Sequence, residues 1–327
     1  MNRNGELVKP TRFSKGLINN RRKFSYEEAQ KLLDSTENSE CSYYQNLSNM
    51  SDLAKNLREK RMKNGATNIG TKSPKFIFDE TSRMPISIYN ETSFSTNKLV
   101  EEFMVLANSE CAKFLMERVD HPVIRFHDSL REEKCTELSR LLSASMPEVA
   151  AKIDATMDGN IIRELMQSAE NLDSITREAL ELMFIRCFTE ARYGIFSKEE
   201  PNAQHFGLAL EEYTHFTSPI RRFPDVLVHR QLNDAISESE TASYDLAELE
   251  KHLRRSNLKK YRNRKLQADL DRLFTWMLYK NQDDKGPVLV TGPIVNISED
   301  SVEVYWSETG LVLECLFEVN IFEFKKV

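Results

Sequence analysis

Apolar residues recur at helical spacing over most of this chain and at strand spacing in only a few short runs. The clearest helical stretch lies between about Asn97 and Arg118. Leu99, Phe103 and Leu106, and in parallel Val100, Met104 and Ala107, repeat there every three or four residues, as on one face of a helix. Ser174 to Tyr193 reads the same way, with Ile175, Ala179, Leu182, Ile185 and Arg186 marking its faces. Residues 131–170 predict helix in pieces, and a long helix is predicted from about Tyr244 to Tyr279. Residues 1–23 are basic and polar and show no period. Ser25-Tyr26-Glu27-Glu28 is a capping-box sequence that opens a helix running to about Leu33. A polar loop over 36–48 and a second helix from about Met50 to Met62 complete the first part of the chain.

Strand signals are short. Lys75-Phe76-Ile77-Phe78 and Ile86-Ser87-Ile88-Tyr89 flank turn chemistry, the pattern of a hairpin. Residues 205–217 read as extended. After Gly286 the composition shifts to alternating β-rich runs: Val288-Leu289-Val290, Val302-Glu303-Val304-Tyr305-Trp306, Leu311-Val312-Leu313 and Asn320-Ile321-Phe322. These predict a small antiparallel module, and the whole chain reads as α+β.

Hydrophobic residues make up 40% of the 327 and charged residues 29%, which suits a soluble globular protein of one large domain or two smaller ones. No apolar run approaches the roughly 18–20 residues a membrane span needs, and Met1–Glu6 lacks the apolar core of a signal peptide. The five cysteines, Cys41, Cys111, Cys135, Cys187 and Cys315, are odd in number and form no Cys-x-x-Cys. They read as reduced thiols of a cytosolic or nuclear protein and argue against structural zinc. A net charge of −6 argues against non-specific nucleic-acid binding by the whole surface, but charge is unevenly spread. Between Lys251 and Lys265 stand eight Lys/Arg, Arg262 among them, and no acid. That run is either a solvated helix face or a face turned to a polyanion.

The most informative string is Tyr213-Thr214-His215-Phe216-Thr217-Ser218-Pro219-Ile220-Arg221-Arg222-Phe223-Pro224-Asp225-Val226-Leu227-Val228-His229-Arg230. Ser218-Pro219 predicts a helix start, with Ser as N-cap and Pro in the first turn. The alternative is a break at Pro224 and a new helix starting there, which leaves the two arginines just ahead of a helix N-terminus. In either case cationic side chains stand at the positive end of a helix dipole, an arrangement that suits a bound phosphate held by backbone N–H groups and guanidinium forks.

This string resembles the closing block of the RNB family, the ribonuclease II/R-type 3′→5′ exoribonucleases, with Phe223 in place of the usual Tyr and Pro224 in place of a small residue. Lys23–Gln30, Asn97–Asn108, Arg125-Phe126-His127 and His205–Ala209 resemble further family segments, so the likeness runs from about Thr11 to about Phe317. In detail it is nearest the eukaryotic, cytoplasmic, exosome-independent branch. The resemblance implies a magnesium-dependent hydrolase of single-stranded RNA in the cytoplasm, with no membrane or DNA partner expected. It implies a catalytic role for Arg221 near the scissile phosphate and places Tyr26 near the 3′-terminal nucleotide. Glu101 or Glu102 would hold the terminal ribose, the motif not choosing between them. His215, Ser218, Arg222 and Arg262 join them as candidate RNA-binding residues. Each has a structural alternative: Tyr26 packing on its helix, one glutamate simply exposed, Arg221 paired with Asp225 four residues on.

The implied organisation is a C-terminal portion of an RNB domain over 1–240, a long basic linking helix over 241–285, and a partial S1/OB-like β module over 286–327. Along the basic helix Ala268 stands where the family usually has an acid, with Asp269 next to it. The family binds its Mg²⁺ ions through an Asp-x-Asp-Asp loop upstream of the tyrosine segment, and this chain begins after that point. None of the paired acids, nor Asp154 with Asp158, reproduces that loop, so no metal ligands are assigned. The expectation is the RNA-gripping half of an exonuclease site, either as part of a longer nuclease or as a non-catalytic RNA-binding or scaffold protein.

Overall fold

The computed structural model describes residues 1–2, 5–35, 42–64, 66, 74–90, 93–128, 130–144, 146–155, 172–199, 202–237, 244–280 and 289–317. The chain divides into two compact units that alternate along the sequence. One comprises Met1–Asn68, Thr92–Asp128 and Glu190–Arg262, the other Ile69–Glu91, Ser129–Thr189 and Asn263–Val327.

In the first unit, α1 (Tyr26–Asp34) starts with the predicted capping box: Ser25 Oγ accepts from the Glu28 N–H and the Glu28 carboxylate accepts from the Ser25 N–H. Gln30 on α1 accepts from Ser95 Oγ and the Thr96 N–H, and Thr96 Oγ1 donates to the Tyr26 carbonyl. These bonds seat α1 against the start of α3 (Ser95–Arg118). Helix α2 (Ser42–Lys63) begins before the predicted Met50 and takes in part of the expected polar loop. Tyr43, Tyr44 and Leu47 are half-buried there, and Tyr43 lies edge-on to Phe24 at 5.8 Å. A partly buried apolar face can outweigh a polar composition.

Helix α3 covers its predicted span, but its buried stripe is Leu99, Glu102, Val105, Asn108/Ser109, Ala112 and Leu115. Of the positions predicted to mark its faces, only Leu99 is buried. Polar residues occupy core positions, so apolar periodicity pointed to the flanks. Glu102, 2% exposed, takes Arg61 in two bonds of 2.6 and 3.1 Å and Arg58 at 3.2 Å. This clasp ties α2 to α3.

Strands β3 (Val123–Phe126) and β4 (Arg192–Ile195) pair antiparallel, with Arg125 opposite Tyr193. The predicted Ser174–Tyr193 helix instead ends at Cys187. Phe188 turns extended and Tyr193 joins the strand, so strand pairing overrides the helical period. Residues 205–217 are mostly irregular and extended, broken by a 3₁₀ turn at Phe206–Leu208. The core of this unit gathers Cys111, Leu115, Val123, Tyr193, Leu227, Val228, Leu249 and Leu253.

The second unit holds the predicted hairpin, β1 (Pro74–Phe78) with β2 (Pro85–Asn90), whose Phe76 and Phe78 pack edge-on against Phe274 at 5.5 and 5.0 Å. Helices α4 (Glu132–Leu142), α5 (Pro147–Ala155) and α6 (Ser174–Cys187) share a core with an antiparallel sheet through Leu138, Ile153, Phe184, Val295 and Tyr305. That sheet has the order β5 (Ile294–Ile297), β6 (Ser301–Trp306), β7 (Leu311–Leu316). Leu289 and Val290 are not in a strand; Val288, Asp158 and Asn320–Phe322 lie outside the described residues. Helix α7 (Phe223–Ile236) belongs to the first unit. Helix α8 (Leu246–Lys280) is continuous near its predicted bounds, its residues up to Arg262 belonging to the first unit and the rest to the second.

Removing one partner of a buried ion pair leaves an uncompensated charge and costs about 3–5 kcal/mol. Arg61→Ala should therefore lower the urea unfolding free energy by about that amount. Lys55→Ala, which removes an exposed contact with Asp52, should change it by less than about 1 kcal/mol. A cost below about 1 kcal/mol for Arg61→Ala would show that the clasp does not hold α2 on α3.

Candidate functional site

The segment from Glu212 to Arg222 is an irregular stretch with several of its backbone groups held by side chains and strands around it. Strand β3 takes its first part: the Arg125 N–H donates to the Tyr213 carbonyl at 2.8 Å and Thr214 Oγ1 donates to the Val123 carbonyl at 2.7 Å. Helix α3 takes the middle. Ser109 Oγ donates to the Glu212 carbonyl, while Asn108 Oδ1 accepts from the Phe216 and Thr217 N–H groups at 2.8 and 3.1 Å and Asn108 Nδ2 donates to the Tyr213 hydroxyl at 3.0 Å. Helix α7 takes the end: Asp225 Oδ1 accepts from the Ser218 N–H at 2.7 Å and from Arg222 Nη2 at 2.8 Å. His229 meets the Phe216 carbonyl through Nε2 at 2.9 Å.

Between these anchors residues 219–221 form a projecting turn in which the Arg221 and Arg222 N–H groups fold back on the Ser218 carbonyl. Ile220 at its tip is 97% exposed and Arg221 is exposed beside it. Helix α7 starts after the turn, with Arg222 as N-cap and Pro224 in its first turn. The helix start expected at Ser218-Pro219 is therefore replaced by the break at Pro224, whose missing N–H costs nothing in a first turn, where an N–H has no intrahelical partner. Because 219–221 is not helical, Asp225 pairs with Arg222 three residues back and not with Arg221.

Under this turn lies a buried, cation-rich cluster. Arg125 is 7% exposed, stands over the Tyr193 ring at 4.9 Å, and has its Nη1 unpartnered among the described residues. Burial pushes its guanidinium pKa down. Tyr193 and Tyr213 are pushed up, chiefly by burial. The Tyr193 hydroxyl meets His215 Nδ1 at 2.7 Å. Burial first, and then the charges of Arg125 and Arg222, bring His215 down to about 2. His205, edge-on to His127 at 4.5 Å, is also driven well below its ordinary value by burial and by His127 and Arg125. Both rings are neutral, so the positive charge here belongs to the arginines.

His215, Ser218, Arg221 and Arg222 thus share one clamped segment, although Ser218 and Arg222 are engaged with Asp225. Tyr26 is 46% exposed on the first turn of α1. Glu102 is buried against its arginines, whereas Glu101 is half-exposed, with Lys98 at 3.0 Å and Arg58 and Arg61 farther off at 3.8 and 3.9 Å. Arg262 is exposed on α8, within the uninterrupted exposed run 261–269 that also contains Asp269. Asn108, Arg125 and Tyr193 are the residues sequence reading missed as parts of the site. Arg125 had a signal in the Arg-x-His of residues 125–127, whereas the burial of Asn108 and the pairing of Tyr193 with Arg125 emerge only in the fold. Among the described residues no three His, Cys, Asp or Glu converge to hold a metal ion.

A family profile described as the RNB domain matches residues 1–238. The exosome complex exonuclease RRP44 of Homo sapiens is 31% identical over 329 residues, covering 97% of this chain and 32% of its own length. DIS3-like exonuclease 2 of Caenorhabditis elegans is 30% identical over 324 residues, covering 92% and 37%. These identities do not separate the two branches. The chain spans about a third of the length of these curated relatives. The structure of Mycoplasma genitalium RNase R in complex with ribose-methylated single-stranded RNA matches with a TM-score of 0.69 at 22% identity, over 88% of this chain and 44% of that one. At that identity the likeness is one of fold.

His205 and His215 take up protons near pH 6.5 when unfolded but resist them in the fold. Stability is lost as pH falls below about 6.5, at up to about 1.4 kcal/mol per pH unit and group, for His215 down toward about 2. The urea midpoint should drop between about pH 7 and pH 5, and His215→Gln should flatten that drop. An identical slope in the variant would show that His215 titrates normally in the fold.

Proposed function

Because this chain belongs to the RNB domain family, we propose that it forms the RNA-gripping part of a 3′→5′ exoribonuclease that acts on single-stranded RNA. The observation that carries the proposal is Arg221, an exposed guanidinium on a turn with Asp225 Oδ1 holding the Ser218 N–H before it and the Arg222 side chain after it. A cation held in that way is preorganised for a backbone phosphate, and its planar fork matches phosphate oxygens. Arg222, tied to Asp225, braces the turn from beneath.

The exposed run on α8 supports a second point of contact. Lys259 and Arg262 lie close to Tyr261 in sequence and all three are exposed, Tyr261 to 52%. Cations close to an exposed aromatic suit a single strand, whose phosphates are neutralised while a base stacks. Tyr26 and Glu101, on the neighbouring α1 and α3, are the groups we assign to the RNA 3′ end. Glu101 is preferred to Glu102 because its side chain is 41% exposed, whereas that of Glu102 is buried at 2%.

Mg²⁺ is the ion we assign to hydrolysis by the whole protein. The acids described here do not fit it: Glu102 is neutralised by Arg58 and Arg61, and Asp225 by Arg222 and the Ser218 N–H. No step through the ion is assigned to this chain. We place the protein in the cytoplasm, where the free Cys111, Cys135, Cys187 and Cys315 would stay reduced.

The test is a 5′-labelled oligouridine incubated with the chain and Mg²⁺, binding and length being read in the same samples. The chain should bind, and Arg221→Ala should weaken binding about ten- to hundredfold, as expected for a charge-assisted bond. The variant should also reduce the salt slope by about one. Stepwise shortening would add the chemistry to this chain; binding without shortening would leave it the grip alone. Unchanged affinity and salt slope in Arg221→Ala would refute the phosphate assignment.

A further inference from the structure

The turn that carries Arg221 has little internal structure of its own. Its Arg221 and Arg222 N–H groups share the Ser218 carbonyl at 3.3 and 3.1 Å, and Ile220 touches nothing that would steer it. Where the guanidinium points is therefore set by how the chain enters and leaves the turn. Asp225 spans the turn: its Oδ1 accepts from the Ser218 N–H on the way in and from the Arg222 side chain on the way out. The two residues before Ser218 are held by Asn108.

We propose that Asn108 is a positioning residue for RNA binding: it touches no nucleotide and acts through Arg221, whose aim it sets. This rests on the reading of Arg221 as a phosphate ligand. Asn108 is only 2% exposed, so a nucleotide cannot reach it. Its side chain is spent on the segment leading to the turn, with Oδ1 on the Phe216 and Thr217 N–H groups and Nδ2 on the Tyr213 hydroxyl.

An apolar residue would fill the same place on the α3 stripe without those bonds, leaving the part-buried Phe216 and Thr217 N–H groups unsatisfied just ahead of Ser218. The side chain is also held from behind. Six residues earlier on the same buried stripe, Glu102 is pinned by Arg58 and Arg61, which limits how far α3 can shift. A ligand group needs to be held to within a fraction of an ångström of its productive place, and Asn108 restrains the two residues that lead to Ser218, whose own amide Asp225 holds.

The test is a double-mutant cycle on the full chain with a labelled single-stranded oligouridine, each variant assayed below its own thermal transition. Arg221→Ala should weaken binding about ten- to hundredfold and Asn108→Ala about tenfold. If Asn108 works through Arg221, the double variant binds no more weakly than Arg221→Ala, within about twofold. Asn108→Asp keeps the acceptor for both N–H groups and should bind within about threefold of the parent. A general structural defect would not give that pattern of non-additivity and rescue. Should Asn108→Ala fail to fold, Asn108→Ser, too short to span both N–H groups, enters the same cycle.

Losses that multiply in the double variant, or unchanged binding in the Asn108 variants while Arg221→Ala is impaired, would overturn the proposal alone. Unchanged binding in Arg221→Ala would overturn the phosphate reading and this proposal with it.

Discussion

The hydrogen bonds that Asn108 and Asp225 accept from the Phe216, Thr217 and Ser218 amides, together with the Arg222 side chain held on Asp225 beyond residues 219–221, are the constraint on which the candidate site depends. An irregular segment has no ladder to satisfy its amides, and buried amides without partners are costly. Here α3, β3 and α7 supply those partners one after another, so the segment is as well fixed as a strand while its tip stays free of regular structure. An exposed Ile and an exposed Arg are thereby presented on a rigid base. Binding energy is then not consumed in ordering the chain, which is the advantage of a preorganised contact.

The polar residues beneath the turn make sense together. Two buried or half-buried arginines, Arg125 and Arg222, lie near two histidines that stay neutral. A charged ring beside them would repel them in a poorly screened interior. The carboxylates of this unit that are most buried are already committed, Glu102 to α2 and Asp225 to the turn. The same helix, α3, carries Glu102, Asn108 and Ser109 on one buried stripe and so links the position of α2 to that of the 212–217 segment.

Much of this was legible from residue order. The capping box at Ser25, the hairpin around Ile77 and Ile86, the strand Val302–Trp306 and the long helix to Lys280 follow from local signals that nothing in the tertiary structure opposes. The helix over Ser174–Cys187 ran too long because its period continues to Tyr193, whose partner Arg125 lies far away in sequence. The buried face of α3 was hidden because Glu102, Asn108 and Ser109 stand at core positions. At the site, Arg221 and Arg222 were visible as a pair, but which of them is engaged was not. That depends on a turn at 219–221 where helical spacing was assumed. Arg125 and Tyr193 were invisible as neighbours of His215, because strand pairing and burial bring them together.

Hydrogen exchange of the full chain, with and without oligouridine, tests the central claim most directly. The account predicts that the Phe216, Thr217 and Ser218 amides exchange as slowly as those of the α3 core in the free chain and change little when RNA is added, because the base of the turn is already set. Exchange of those amides at loop rates in the free chain, slowing only with RNA, would mean that the ligand orders the segment and that the clamp does not exist without it.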